Sequence, residues 1–100
     1  MIYELLAEGR ENARTGRQLA DICGCDIRAI TAQIERERRE GRPICATTGD
    51  RPGYYLPAND KELEAYCNRL KGRAIELFKT RQALIQVLRN RREALEHEQD

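Results

Sequence analysis

Up to Pro57 the apolar residues of this chain come in short bursts, each closed by a glycine or a polar cluster. Beyond it they settle into one long helical rhythm. Ile2, Leu5 and Leu6 recur at helical spacing until Gly9 stops them, which predicts a short first helix followed by a polar connector, Arg10–Arg14. Thr15-Gly-Arg-Gln18 has the form of a capping box, in which the Thr hydroxyl accepts the backbone N–H three residues on and the Gln side chain reaches back. A second helix is therefore predicted from about Gly16 to Cys23, with Leu19, Ala20, Ile22 and Cys23 on its apolar side. Gly24 supplies the positive φ of a tight turn, and Asp26 caps a third helix that runs to Glu40 and stops at Gly41. Ile27, Ile30 and Ile34 mark the inward stripe of that helix.

From Arg42 to Pro57 the composition changes. Ile44, Ala46 and the run Tyr54–Leu56 are strand-like, and Thr48-Gly-Asp-Arg-Pro-Gly53 between them is a turn cluster, so a β-hairpin is predicted. Tyr54 and Tyr55 point to opposite faces of its strand, one to the core and one outward. Asn59-Asp-Lys-Glu62 is a second capping box. It opens a series of alternating four- and three-residue steps through Leu63, Cys67, Leu70, Ala74, Leu77, Leu84, Leu88 and Leu95, interrupted at Arg81 and Arg91. One helix from Asp60 to about His97 would be on the order of 55 Å long. A head of this size cannot cover that length, so the helix either folds back near Gly72 or pairs with another chain.

The predicted fold is mainly α with a small β-hairpin: a helix-turn-helix head over residues 1–58 and a long C-terminal helix over 59–100. The stripe Leu63, Tyr66, Leu70, Leu77, Phe78, Leu84 and Leu88 is the candidate interface for a homodimer. Pairing would also help a chain of 100 residues, which buries only about 60–65% of its unfolded surface.

Composition narrows the functional classes. The net charge of +1 announces no polyanionic partner, but the cations are 15 Arg and three Lys, and Arg carries the planar donor fork suited to phosphates and guanine edges. Residues 1–58 hold nine Arg and nine Asp or Glu, so any cationic face of the head must come from arrangement and not from excess. Cys23, Cys25, Cys45 and Cys67 form no Cys-x-x-Cys pair, and the one histidine is His97, so reduced apolar cysteines are expected in place of a metal site. Cys23 and Cys25 are assigned to the core beside the turn glycine. There is no serine and no phosphate-cradling glycine loop, so neither an enzyme nor a cofactor is expected. No secretory leader or membrane-length apolar run is visible, which makes cytoplasmic residence, away from any membrane, the default.

Helix, glycine turn, polar-faced helix and hairpin together meet the requirements of a DNA-binding helix-turn-helix, with small Ala20 at the helix crossing. The segment from Gly24-Cys-Asp-Ile-Arg-Ala-Ile-Thr-Ala to Gly41, with the later Gly53-Tyr-Tyr-Leu-Pro57, resembles the N-terminal winged helix-turn-helix domain of biotin repressors and related bacterial and phage regulators. The resemblance covers roughly residues 2–57 and does not extend to the biotin-ligase domain of that family. It implies double-stranded DNA as partner, with Asp26, Arg28, Ala29, Thr31, Ala32 and Arg36 facing the major groove and Arg51 on the wing. Arg14 and Arg17, at the start of the second helix, are further candidates for the DNA backbone. Against this stand Asp26, Glu35 and Glu37, acids that a phosphate-binding helix tends to avoid, and a docking module for another protein is the alternative.

Overall fold

The computed structural model describes residues 1–49 and 52–99. It is mainly helical, with a two-stranded antiparallel hairpin and a long C-terminal helix, the class that the hydrophobic pattern predicts. The elements are α1 (Gly16–Cys23), α2 (Ile27–Arg39), β1 (Cys45–Ala46), β2 (Tyr54–Tyr55) and α3 (Asp60–Gln99). The chain divides into two compact units, Met1–Tyr66 and Cys67–Asp100.

In the first unit the local signals act as written. Thr15 Oγ1 accepts the Gln18 N–H at 3.0 Å and Gln18 Oε1 accepts the Thr15 N–H at 2.9 Å, which fixes the start of α1. Gly24 ends it at φ +68°, a left-handed conformation that costs other residues roughly 1–2 kcal/mol. Asp26 Oδ1 accepts the Ala29 N–H at 2.8 Å and starts α2. Leu19 and Ala20 of α1 then close on Ile30 and Ile34 of α2, with Ile2, Leu6 and Ile44 completing the core. Each such aliphatic side chain contributes about 1.5–3 kcal/mol by leaving water.

The apolar faces are narrower than predicted. Ile22 and Ile27 are about half exposed, and Cys23 and Cys25 are exposed rather than in the core. All four sit at the turn between the helices, at the margin of the core, and a head this small runs out of chain to cover them. Of the cysteines, Cys45 is the buried one.

The N-terminal segment also departs from expectation. Tyr3–Leu5 is a single 3₁₀ turn and not an α-helix, and Arg10–Asn12 forms a second 3₁₀ turn where a plain connector is predicted. The backbone there is committed to the hairpin. Leu56 N donates to Ala7 O, Gly9 N donates to Leu56 O, and Arg14 and Tyr54 exchange two bonds of 2.9 and 2.7 Å. The close approach needs Gly53, where a Cβ would lie 3.1 Å from both the Ala13 Cβ and the Arg14 carbonyl oxygen. β1 and β2 pair Cys45 with Tyr55 and Ala46 with Tyr54. Tyr55 is buried, while Tyr54 is half-buried against the main core and not outward.

Asn59 Oδ1 accepts the Glu62 N–H at 2.9 Å to begin α3, which passes Gly72 without a break, so the chain does not fold back there. Tyr66 corrects the expected self-association stripe. It is buried with Cys45 and Tyr55 in a second small core that Leu63 flanks, because the Arg38 guanidinium binds its hydroxyl and lies over its ring. In the second unit Leu70, Leu77, Phe78, Leu84 and Leu88 are exposed.

Candidate nucleic-acid interface

α2 presents two chemically distinct faces. Ile30, Ile34 and Glu37 recur at steps of four and three and are buried. Arg28, Ala29, Thr31, Ala32, Glu35, Arg36 and Arg39 are exposed. All six residues assigned to the major groove, Asp26 included, therefore lie on the solvent side of α2 or at its cap. Arg17 is exposed on α1, and Arg14 is exposed in the segment whose backbone pairs with β2. Arg51 lies outside the described residues.

Each of the three acids that count against phosphate binding has a partner within the head, and one of them, Glu37, is buried. Asp26 is the helix cap, its carboxylate facing the Ala29 N–H. Glu35 is paired with Arg38 Nη1 at 2.9 Å. Glu37 is fully buried, and its carboxylate accepts the Ile2 N–H at 2.9 Å, the Tyr3 N–H at 2.8 Å and Gln33 Nε2 at 2.9 Å. Burial alone would raise the pKa of Glu37, but the hydrogen bonds from Tyr3, Ile2 and Gln33 outweigh it and hold the carboxyl below its ordinary value. An ion in that position fastens the N-terminal segment to α2, and sequence pattern gave no sign of it, since its partners lie 34 and 35 residues away.

The cations are disposed differently. Arg38 is structural, with Nε donating to Ile44 O at 2.8 Å and Nη2 to Tyr66 Oη at 2.8 Å. Arg42 lies over the Tyr3 ring, 5.0 Å from its centroid. Arg36 Nη2 donates to Gln33 Oε1 at 2.7 Å, so the amide that steadies Glu37 also orients this exposed guanidinium. Among the described residues, Arg28 and Arg39 make no hydrogen bond or ion pair. Arg39 belongs to the mixed-sign run Arg36–Arg39, which sequence alone reads as a solvated face. The fold separates that run: Glu37 turns inward, Arg38 is tied down, and Arg36 and Arg39 stay outside.

Small Ala29, Thr31 and Ala32 lie beside these arginines, and the Thr31 hydroxyl donates to Ile27 O at 3.1 Å. The surface is thus low in relief, cationic through Arg28, Arg36 and Arg39, and carried on a helix narrow enough for a major groove about 12 Å wide. Among the described residues no group of three His, Cys, Asp or Glu side chains is placed to hold a metal ion, and no helix is long and apolar enough to cross a membrane. Comparison with known protein families, with characterised proteins and with solved structures gives no match for this chain.

Proposed function

We propose that this chain is a sequence-specific double-stranded DNA-binding protein, a transcriptional regulator whose head is a winged helix-turn-helix and which acts as a homodimer. The observation that carries the reading is that Glu37 is buried, Asp26 is engaged as the helix cap and Glu35 is paired with Arg38, so that Arg28, Arg36 and Arg39 outnumber the acids on the exposed side of α2. A near-neutral head can in this way present a one-sided cationic helix, the arrangement that favours DNA over a protein partner. The exposed Leu70, Leu77, Leu84 and Leu88, which repeat on one stripe of α3, support the dimer as a surface through which two chains would pair. Two heads so joined would read half-sites about one helical turn, ~34 Å, apart.

The test is selection of duplexes from a random pool by the full chain at two salt concentrations. A two-fold-symmetric consensus enriched at both is the expected result. Recovery of no consensus overturns the reading and leaves the head as a protein-docking module.

A further inference from the structure

The second unit carries a charge pattern that the even totals for the whole chain conceal. Between Arg69 and Arg92, α3 holds six Arg and two Lys against a single acid, Glu76. The acids of the C-terminal region lie on either side: Asp60, Glu62 and Glu64 before this segment, and Glu93, Glu96, Glu98 and Asp100 after it. Glu76 is itself paired with Lys79 at 3.3 Å, and Arg81 lies 6.0 Å from the centre of the Phe78 ring. Among the described residues, Lys71, Arg73, Arg89, Arg91 and Arg92 make no ion pair, and all five are exposed.

We infer that this basic segment of α3 is a second nucleic-acid surface, one that binds the phosphate backbone of a DNA duplex without reading its sequence. Charge complementarity selects the partner. The segment spans roughly 36 Å at 1.5 Å per residue. Over that distance a duplex offers one phosphate charge about every 1.7 Å. Arg outnumbers Lys three to one here, which suits phosphate oxygens better than a diffuse anionic surface. A membrane-surface helix keeps its cations on one polar face. In this segment Arg81 and Arg91 interrupt the leucine stripe, and Arg73 and Lys71 flank it on opposite sides at 100° per residue. With Arg69, Arg73, Lys71 and Arg89 on the two flanks of the stripe and Lys79 opposite it, a helix whose stripe is paired still presents cations to phosphate strands on its remaining sides. The inference extends the DNA reading of the head to the second unit but does not require that α2 read a sequence.

The experiment uses the full chain and a random-sequence duplex, with affinity measured across salt. Lys71, Arg73 and Arg89 lie off the leucine stripe, so K71Q/R73Q/R89Q removes three cations and leaves the stripe intact. If all three meet phosphates, the salt slope falls in magnitude by about 2.7, and the affinity lost between about 50 and about 200 mM salt shrinks about 40-fold. The charge-keeping variant K71R/R73K/R89K retains the wild-type slope. Circular dichroism must show that both variants keep their helix content. An unchanged slope in the folded glutamine variant overturns the inference. So does a variant that loses binding to phosphatidylserine vesicles while its duplex binding is unaltered. Failure of the head reading looks different: no selected consensus, with the slope change still present.

Discussion

The two units of this chain solve the problem of their apolar residues in opposite ways. In the head, Leu19, Ile30, Ile34 and Tyr55 are almost completely enclosed, and even the acid Glu37 is buried and satisfied. In the second unit Leu70, Leu77, Phe78, Leu84, Val87, Leu88 and Leu95 stand exposed on a helix with no other described element of that unit to receive them. The head closes because its helices are short and its hairpin returns to the N-terminal segment. α3 is a single element, and helical rhythm specifies a helix without specifying what covers it. In proteins most helical stability comes from packing an apolar face, which is the physical reason to expect a partner for this one.

The largest contrast is expected from paired core and stripe substitutions. Ile34→Ala, in the head core, costs about 2–5 kcal/mol in urea unfolding. Leu84→Ala, 64% exposed, changes the stability of the single chain by no more than about 0.5 kcal/mol and lowers self-association in sedimentation equilibrium. Equal unfolding effects from the two would break the comparison.

Glu37 sharpens it from the side of charge. Glu37→Gln weakens charge-assisted bonds to Ile2 and Tyr3 and costs about 1.5–3 kcal/mol at neutral pH. The folded pKa of Glu37 lies below its unfolded value of about 4.3. Its contribution is therefore fully present above the unfolded value and disappears as pH falls through the folded one. Acid titration of stability is expected to be flatter in the glutamine variant. A Glu37→Gln chain with the wild-type acid profile would contradict the role given to this carboxylate.

The smallest effect is expected at Gly72. A Cβ there meets nothing within 4 Å, so Gly72→Ala raises the stability of α3 by up to about 1 kcal/mol through helix propensity alone. Thermal melting followed at the helix signal is the check, and a loss of stability would show that Gly72 has an unseen neighbour.

What was legible in the sequence divides along the same line. Thr15 with Gln18, Asp26 with Ala29 and Asn59 with Glu62 act over three residues; the first forms its full capping box and Asp26 its cap. Of the box predicted at Asn59–Glu62 the Asn59 half forms, while Glu62 Oε1 is buried with no hydrogen-bond partner among the described residues. The exposure of Arg28, Thr31, Ala32 and Arg36 also followed from helical periodicity. Contacts across long separations were not legible. Glu37 reads as an adverse surface charge until Ile2 and Tyr3 are seen to donate to it, and Tyr66 reads as part of the leucine stripe until Arg38 is found against it. In both cases a side chain that local spacing leaves outside is recruited inward by a group 28 to 35 residues away.

The central claim is that the outer face of α2, carrying Arg28, Arg36 and Arg39, reads DNA sequence. Its most direct test is the affinity of the wild-type chain and of Arg28→Ala for a selected duplex and for the same duplex scrambled. A base-contacting arginine predicts a loss of about 1–3 kcal/mol on the selected duplex and little change on the scrambled one. Equal losses on both duplexes, or none on either, would contradict it.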